Sequence, residues 1–183
     1  MDLTKERIET ERLLLVPVSM QFKQEIFSEF REPVTLYMYP KAAEKIEETE
    51  AFIQTSVIQL RNGTNLQLVI LHKEDLSFIG CAGLHNLNFT DPELGIWTRR
   101  SAHGNKYGQE AIKAIKEWAD KHLTYTHLRY PVVEENIPSR KIAESLGGQI
   151  MRRYDKLMLS GRRYRVLEYW IYPPEVEDRT HFR

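Results

Sequence analysis

The sequence predicts a mixed α/β (α+β) fold, a mostly antiparallel central sheet of about seven strands flanked by about four helices. Short apolar runs of strand length alternate with longer stretches whose apolar residues recur at helical spacing. The strand-like runs cluster in the middle and at the end of the chain, and the helical stretches fall between them, as in a sheet covered by helices. At 183 residues there is material for one substantial core and not for two. A single domain over 1–183 is expected, with its core at about 8–172 and a loose polar tail at 173–183.

Arg12-Leu13-Leu14-Leu15-Val16-Pro17 is a short apolar run stopped by proline and reads as the first strand. Ser19 is placed to cap a helix reaching about Phe30. From about Ala43 to Asn62, Ile46, Ile53, Val57 and Leu60 recur near helical spacing until Asn62-Gly63 ends the pattern. Leu66 to Leu71, with one polar member and a β-branched centre, reads as a strand; Glu74-Asp75 turns the chain, and Ser77 to Leu84 returns as the other half of a hairpin. Glu93 to Thr98 is the next strand, and the helix after it carries Ala111, Ile112, Ile115, Trp118 and Ala119 on one face. His127 to Val133 reads as a strand interrupted by Pro131. Pro138 starts a short helix that Asn136 or a neighbour caps and Gly147-Gly148 stops. Two last strands, Gln149 to Leu157 and Tyr164 to Ile171, flank a turn at Ser160-Gly161.

With 26 basic and 26 acidic residues the net charge is zero, so no global field favours nucleic acid. The single cysteine, Cys81, has no internal disulfide partner, which fits a reducing compartment. The first dozen residues lack a signal-peptide apolar run, and no stretch approaches the ~20 apolar residues that span a bilayer, so a cytoplasmic protein without a membrane partner is expected. Only His122 and His127 fall at a zinc-like spacing, and no C-x-x-C pair completes a set, so no metal is expected. G-x-S-x-G and G-x-x-x-x-G-K-[ST] are both absent.

The most informative stretch is His103-Gly104-Asn105-Lys106-Tyr107-Gly108, which joins the strand at 93–98 to the amphipathic helix. The first N–H groups of a helix lack intrahelical partners and carry partial positive charge, so a phosphate there satisfies both. Gly104 and Gly108 allow the backbone to bend and approach a ligand, and Lys106 adds a cation. With these elements in place the sequence resembles the GNAT superfamily of acyl-CoA-dependent N-acetyltransferases, and within it the ribosomal-protein N-terminal acetyltransferase branch. ETERLLLVPV resembles the branch's first strand, FIGCAGLHNL and ELGIWTRRSAHGNKYGQEAI its central strands and pyrophosphate turn, and ENIPSRKIAESLGG its N-x-x-S helix. Three departures stand out. His103 replaces the usual first Arg or Gln of R/Q-x-x-G-x-G/A, Lys106 replaces a central glycine, and Gly147-Gly148 stands where G-F is common.

The resemblance implies transfer of an acetyl group from acetyl-CoA to an amine, of a protein N-terminus or a small molecule, by direct attack within a ternary complex. Backbone groups around Ile96, Trp97 and Thr98 would hold the thioester and pantetheine arm, residues 103 to 108 the pyrophosphate, and Asn136 the cofactor arm. Ser139 matches the N-x-x-S serine that faces the leaving sulfur; a tyrosine used instead by many members would fall at Ala143. Such chemistry needs a base for the amine and donors for the oxyanion and thiolate. Glu93, on one strand face with Gly95 and Trp97, is the first candidate for the base. Glu134, Glu135, His85 and His72 are weaker ones. Tyr107 packs against either the cofactor or the sheet. Glutamates at 25, 29, 32, 44, 47, 48 and 50 either attract a cationic acceptor or form a solvated face. Two other readings remain open: an acyl-CoA-binding module without turnover, and a nucleic-acid or ribosome-associated protein using the clusters Arg99-Arg100, Arg152-Arg153 and Arg162 to Arg165, which zero net charge disfavours. Monomer and homodimer are equally compatible with the sequence.

Overall fold

The apolar runs become strands. In a computed structural model, which describes residues 1–175, these are β1 (Ile8–Glu9), β2 (Leu13–Pro17), β3 (Leu66–His72), β4 (Phe78–His85), β5 (Glu93–Thr98), β6 (Leu128–Val133), β7 (Gln149–Leu157) and β8 (Arg163–Ile171). They form one eight-stranded sheet in the order β1-β2-β3-β4-β5-β6-β8-β7. The addition to the expected seven is β1, whose two residues pair with Leu15 and Leu14 and are too few for any periodicity to register. Residues 172–175 carry no regular structure, and the rest of the expected tail, 176–183, lies outside the described residues.

Four α-helices cover the sheet: α1 (Lys23–Glu29), α2 (Ile46–Asn62), α3 (Tyr107–His122) and α4 (Ile137–Ser145). A 3-10 turn, Met20–Phe22, precedes α1, and Ser19 makes no side-chain capping bond there, contrary to expectation. The helix expected from Ala43 begins at Ile46, because the Glu48 carboxylate accepts from the backbone N–H groups of Glu44 (2.6 Å) and Lys45 (2.8 Å) and holds them outside it. In α3 the stripe Ala111, Ile112, Ile115, Trp118 and Ala119 is buried as its spacing requires. After α4, a Cβ at Gly148 would lie 2.7 Å from the Ala143 carbonyl oxygen, so this backbone has no room for a side chain there.

Every neighbouring strand pair is antiparallel except β5 and β6, which are parallel and share one register pair, Glu93 with Arg129. All six residues of β5 pair with β4, and all six of β6 pair with β8, so the sheet opens between β5 and β6 beyond that point. Pro131 belongs to this opening. The Arg129 N–H donates to Pro92 O (2.8 Å), toward β5, and strand alternation aims the Pro131 nitrogen the same way, where no strand is paired. The proline therefore costs β6 no ladder bond to β8 and withholds a donor that would help close the gap.

Alternation on β5 also assigns the faces. A Cβ at Gly108 would lie 3.1 Å from Ile142 Cδ1 and 3.4 Å from Ile96 Cδ1, so Ile96 faces α3 and α4. Trp97 faces the other way, against Phe30 (5.0 Å) and Phe78 (5.8 Å), on the side of α1 and α2. On that second side the segment after α1 crosses to the β7–β8 hairpin. Glu32 pairs with Arg162, Tyr37 packs edge-on to Tyr164 (5.5 Å), and Lys156 sits over the Tyr39 ring (4.3 Å). Residues 31–45 thus bridge the two halves of the parted sheet.

Candidate active site

The candidate site is the gap between β5 and β6, with α3 and α4 on one face and the segment 31–45 on the other. Ile96 N–H and C=O point toward β6 by the alternation that aims Pro92 O there, and they meet no strand. An orphan strand edge inside a fold is open to pairing with an extended ligand. Of the neighbouring residues expected to share this task, Trp97 has its backbone in register with Cys81 of β4 and its ring against Phe30 and Phe78. Thr98 O is already met by His103 Nε2 at 2.9 Å.

The turn before α3 suits a diphosphate. Lys106, its N-cap, has φ 59° and makes no side-chain capping bond, so the amides at the helix start have no protein partner of that kind. Gly104 has φ 82° and open space around it. Asn105 braces the turn, donating from Nδ2 to Ala102 O (3.1 Å) and His103 O (3.3 Å), while its carbonyl accepts from Arg12 Nη2 (3.0 Å). Tyr107 packs inward, with Arg12 over its ring (4.6 Å) and His72 at its edge (6.0 Å). Three residues on, Glu110 accepts from Thr10 Oγ1 (2.6 Å), Arg12 N (2.9 Å) and Arg12 Nε (2.7 Å), fixing the helix start to the N-terminal segment.

At the start of α4, Asn136 Oδ1 accepts from Ser139 N (3.4 Å), a capping role. Ser139 Oγ is 2.8 Å from the hydroxyl of Tyr130 on β6, a partner that sequence reasoning missed because the two residues meet only when helix and strand pack. The candidate bases separate clearly. Glu93 and His85 are cross-strand partners, so they share the α1 face. The His85 ring lies over the two glycines beside it: a Cβ at Gly83 would be 3.2 Å from its Cε1, and one at Gly95 3.6 Å from its Nε2. Burial lowers the His85 pKa and keeps the ring neutral. Burial raises the Glu93 pKa, although Arg129 Nη1, 3.2 Å away, opposes it. The same Arg129 nitrogen lies 3.9 Å from the buried Glu168, which also accepts from Trp170 Nε1 (2.9 Å). Glu134 and Glu135 are exposed, and His72 stands on β3 opposite Leu13, away from the gap.

The acidic residues near α1 and α2 are partly spent on structure: Glu48 caps α2, Glu50 pairs with Lys23 (2.8 Å), and Glu44 with Lys41 (3.3 Å). Of the arginine clusters, Arg162 pairs with Glu32 and Arg165 with Asp155 (2.8 Å). Among the described residues there is no group of three or more metal-ligating side chains, and no helix is long and apolar enough to cross a membrane.

The sequence family of the acetyltransferase (GNAT) domain matches residues 12–149, and the chain belongs to it. It is an acyl-CoA-dependent acetyltransferase, and the acyl donor of that family is acetyl-CoA. No curated protein matches. Among solved structures the fold is similar to a ribosomal-protein-serine acetyltransferase-like protein from Vibrio cholerae (18% identity, TM-score 0.77, covering 93% of this chain and 99% of that one). It is equally similar to the microcin C7 self-immunity acetyltransferase MccE in complex with acetyl-CoA and AMP (18%, 0.77, 89% and 93%). A third is the Vibrio cholerae spermidine N-acetyltransferase in complex with CoA and spermine (16%, 0.77, 89% and 96%).

Proposed function

We propose that the protein acetylates a primary amine, carried by a small molecule or a protein N-terminus, by direct attack on acetyl-CoA in a ternary complex. The observation that carries this reading is the single-pair junction of β5 and β6, which opens the sheet so that one ligand can reach it from each face. Residues 103–108 would hold the diphosphate, the Ile96 backbone and Asn136 the pantetheine arm. The bound donor supplies an activated acetyl carbonyl.

On the opposite face the amine lies beside Glu93 and His85. His85, neutral and without a protein hydrogen bond among the described residues, takes the proton that the amine loses. Glu93, its cross-strand neighbour, favours the imidazolium that results and is itself held by Arg129. Ser139 donates toward the sulfur as the carbon–sulfur bond breaks. The proton lost by nitrogen equals the one gained by sulfur, so the enzyme ends unchanged. Residues 31–45 roof this face, which favours an acceptor presenting its amine at the end of a slim chain, and an aliphatic amine and an extended peptide N-terminus both fit. Resemblance to one fold neighbour that acts on spermidine and another of the ribosomal-protein type supports keeping both.

The test is free-thiol release with acetyl-CoA against a panel of peptides and aliphatic amines. Amine-dependent release is expected. CoA-dependent thermal stabilisation with no release for any acceptor would instead identify a binding module.

A further inference from the structure

Tyr130 has no role in the mechanism above, yet it is 3% exposed and its hydroxyl makes one hydrogen bond among the described residues, to Ser139 Oγ at 2.8 Å. A buried phenol is costly without a partner, and phenylalanine would fill the same space without that demand. We propose that Tyr130 is a positioning residue for the departing sulfur, acting through Ser139; this rests on the reading that Ser139 faces that sulfur.

A serine in the first turn of a helix has competing options, since its hydroxyl can rotate to bond nearby backbone. The Tyr130 hydroxyl fixes Oγ in one place. Two hydroxyls 2.8 Å apart share one proton between them, so one must donate. When negative charge builds beyond Ser139, the favourable arrangement has Tyr130 donating to Ser139 Oγ and Ser139 donating outward. The reverse arrangement would aim serine lone pairs at an anion. Burial pushes the Tyr130 phenol up to about 12, outweighing the opposing hydrogen bond from Ser139, so it keeps its proton. The accounting closes without a phenolate. The carbon–sulfur electron pair stays on sulfur, Ser139 supplies a hydrogen bond to it, and the proton released by the amine ends on the thiol. Donation in series strengthens the outer bond.

The test compares Tyr130→Phe, Ser139→Ala and the double variant. Turnover of acetyl-CoA should fall roughly tenfold in Ser139→Ala and roughly fivefold in Tyr130→Phe, with little change in KM. The double variant should match Ser139→Ala, because the tyrosine has nothing left to act through. A readout independent of turnover is the calorimetric affinity of CoA relative to desulfo-CoA as pH rises. The preference for CoA should grow as its thiol ionises in the wild type and stay flatter in all three variants. Additive losses, or a Tyr130→Phe enzyme that keeps the wild-type rate and thiolate preference, overturn the proposal while leaving Ser139 in place. A Ser139→Ala enzyme with wild-type behaviour overturns the parent reading as well. Should Tyr130→Phe fail to fold, 3-fluorotyrosine at position 130 keeps the hydroxyl as a stronger donor. It should sharpen the thiolate preference, and an unchanged preference overturns the proposal.

Discussion

Replacing Lys106 separates two effects that coincide at one residue. Its φ of 59° and ψ of 22° place a non-glycine residue in the left-handed region at the N-cap of α3. That conformation costs an ordinary residue roughly 1–2 kcal/mol. Glycine adopts it freely but gives the unfolded chain more freedom, a loss of about 0.4–1 kcal/mol, so Lys106→Gly should stabilise the ligand-free protein by about 0.5–1 kcal/mol. For a chain of 183 residues, at about 2–4 °C per kcal/mol, the melting temperature should rise by about 1–4 °C. Lys106→Ala keeps the conformation and should leave the melting temperature nearly unchanged. Both variants remove the cation beside the proposed diphosphate site, worth about 1 kcal/mol near exposed charge, so both should bind CoA roughly fivefold more weakly. Differential scanning fluorimetry should therefore part the two variants, and calorimetric titration with CoA should bring them together. If Lys106→Gly melts no higher than Lys106→Ala, the strain argument is wrong. If neither variant weakens CoA, or both weaken uncharged pantetheine equally, Lys106 does not serve a phosphate.

Two further outcomes follow from the titrating groups. Burial lowers the His85 pKa, so the neutral base should persist into mildly acidic solution and the acid limb of kcat/KM should lie below the ordinary histidine value of about 6.5. His85→Gln should lose roughly 100-fold or more in kcat/KM together with that limb, whereas Glu93→Gln should keep the limb at a reduced rate; a limb that vanishes only in Glu93→Gln would make the carboxylate the base. For stability the sign is also fixed: unfolded His85 takes up a proton at a pH where the folded ring does not, so falling pH destabilises the fold below the ordinary histidine range. Glu110 is opposed by its own burial, but hydrogen bonds from Thr10 and Arg12 prevail and leave its pKa lowered. Its contribution is present above the ordinary carboxylate range and is lost as pH falls through it. Glu110→Ala should cost about 1–3 kcal/mol at neutral pH, and its melting temperature should approach the wild-type value in acid; a constant difference across pH would refute the linkage.

The N-terminal half of the site was legible because its signals are local. Ile96 and Trp97 sit on opposite faces by strand alternation, the α3 stripe declares its buried side every three or four residues, and Gly104 and Gly108 announce a turn at a helix start. Lys106 illustrates the limit of such reading. The sequence shows only that a lysine stands where the resemblance has a central glycine; the backbone shows that this lysine takes the left-handed conformation.

The sequence by itself determined the strands other than β1, the helices, their order, the glycine turn before α3 and a serine in the first turn of α4, since each depends on side-chain pattern within one segment. Tertiary structure alone decided the parting of β5 from β6 after one pair, the seat of His85 over Gly83 and Gly95, the diversion of Thr98 O to His103, and the meeting of Tyr130 with Ser139. Each of these joins groups that no common period relates. Their distances follow from how the sheet twists and the helices dock, a property of the packed whole.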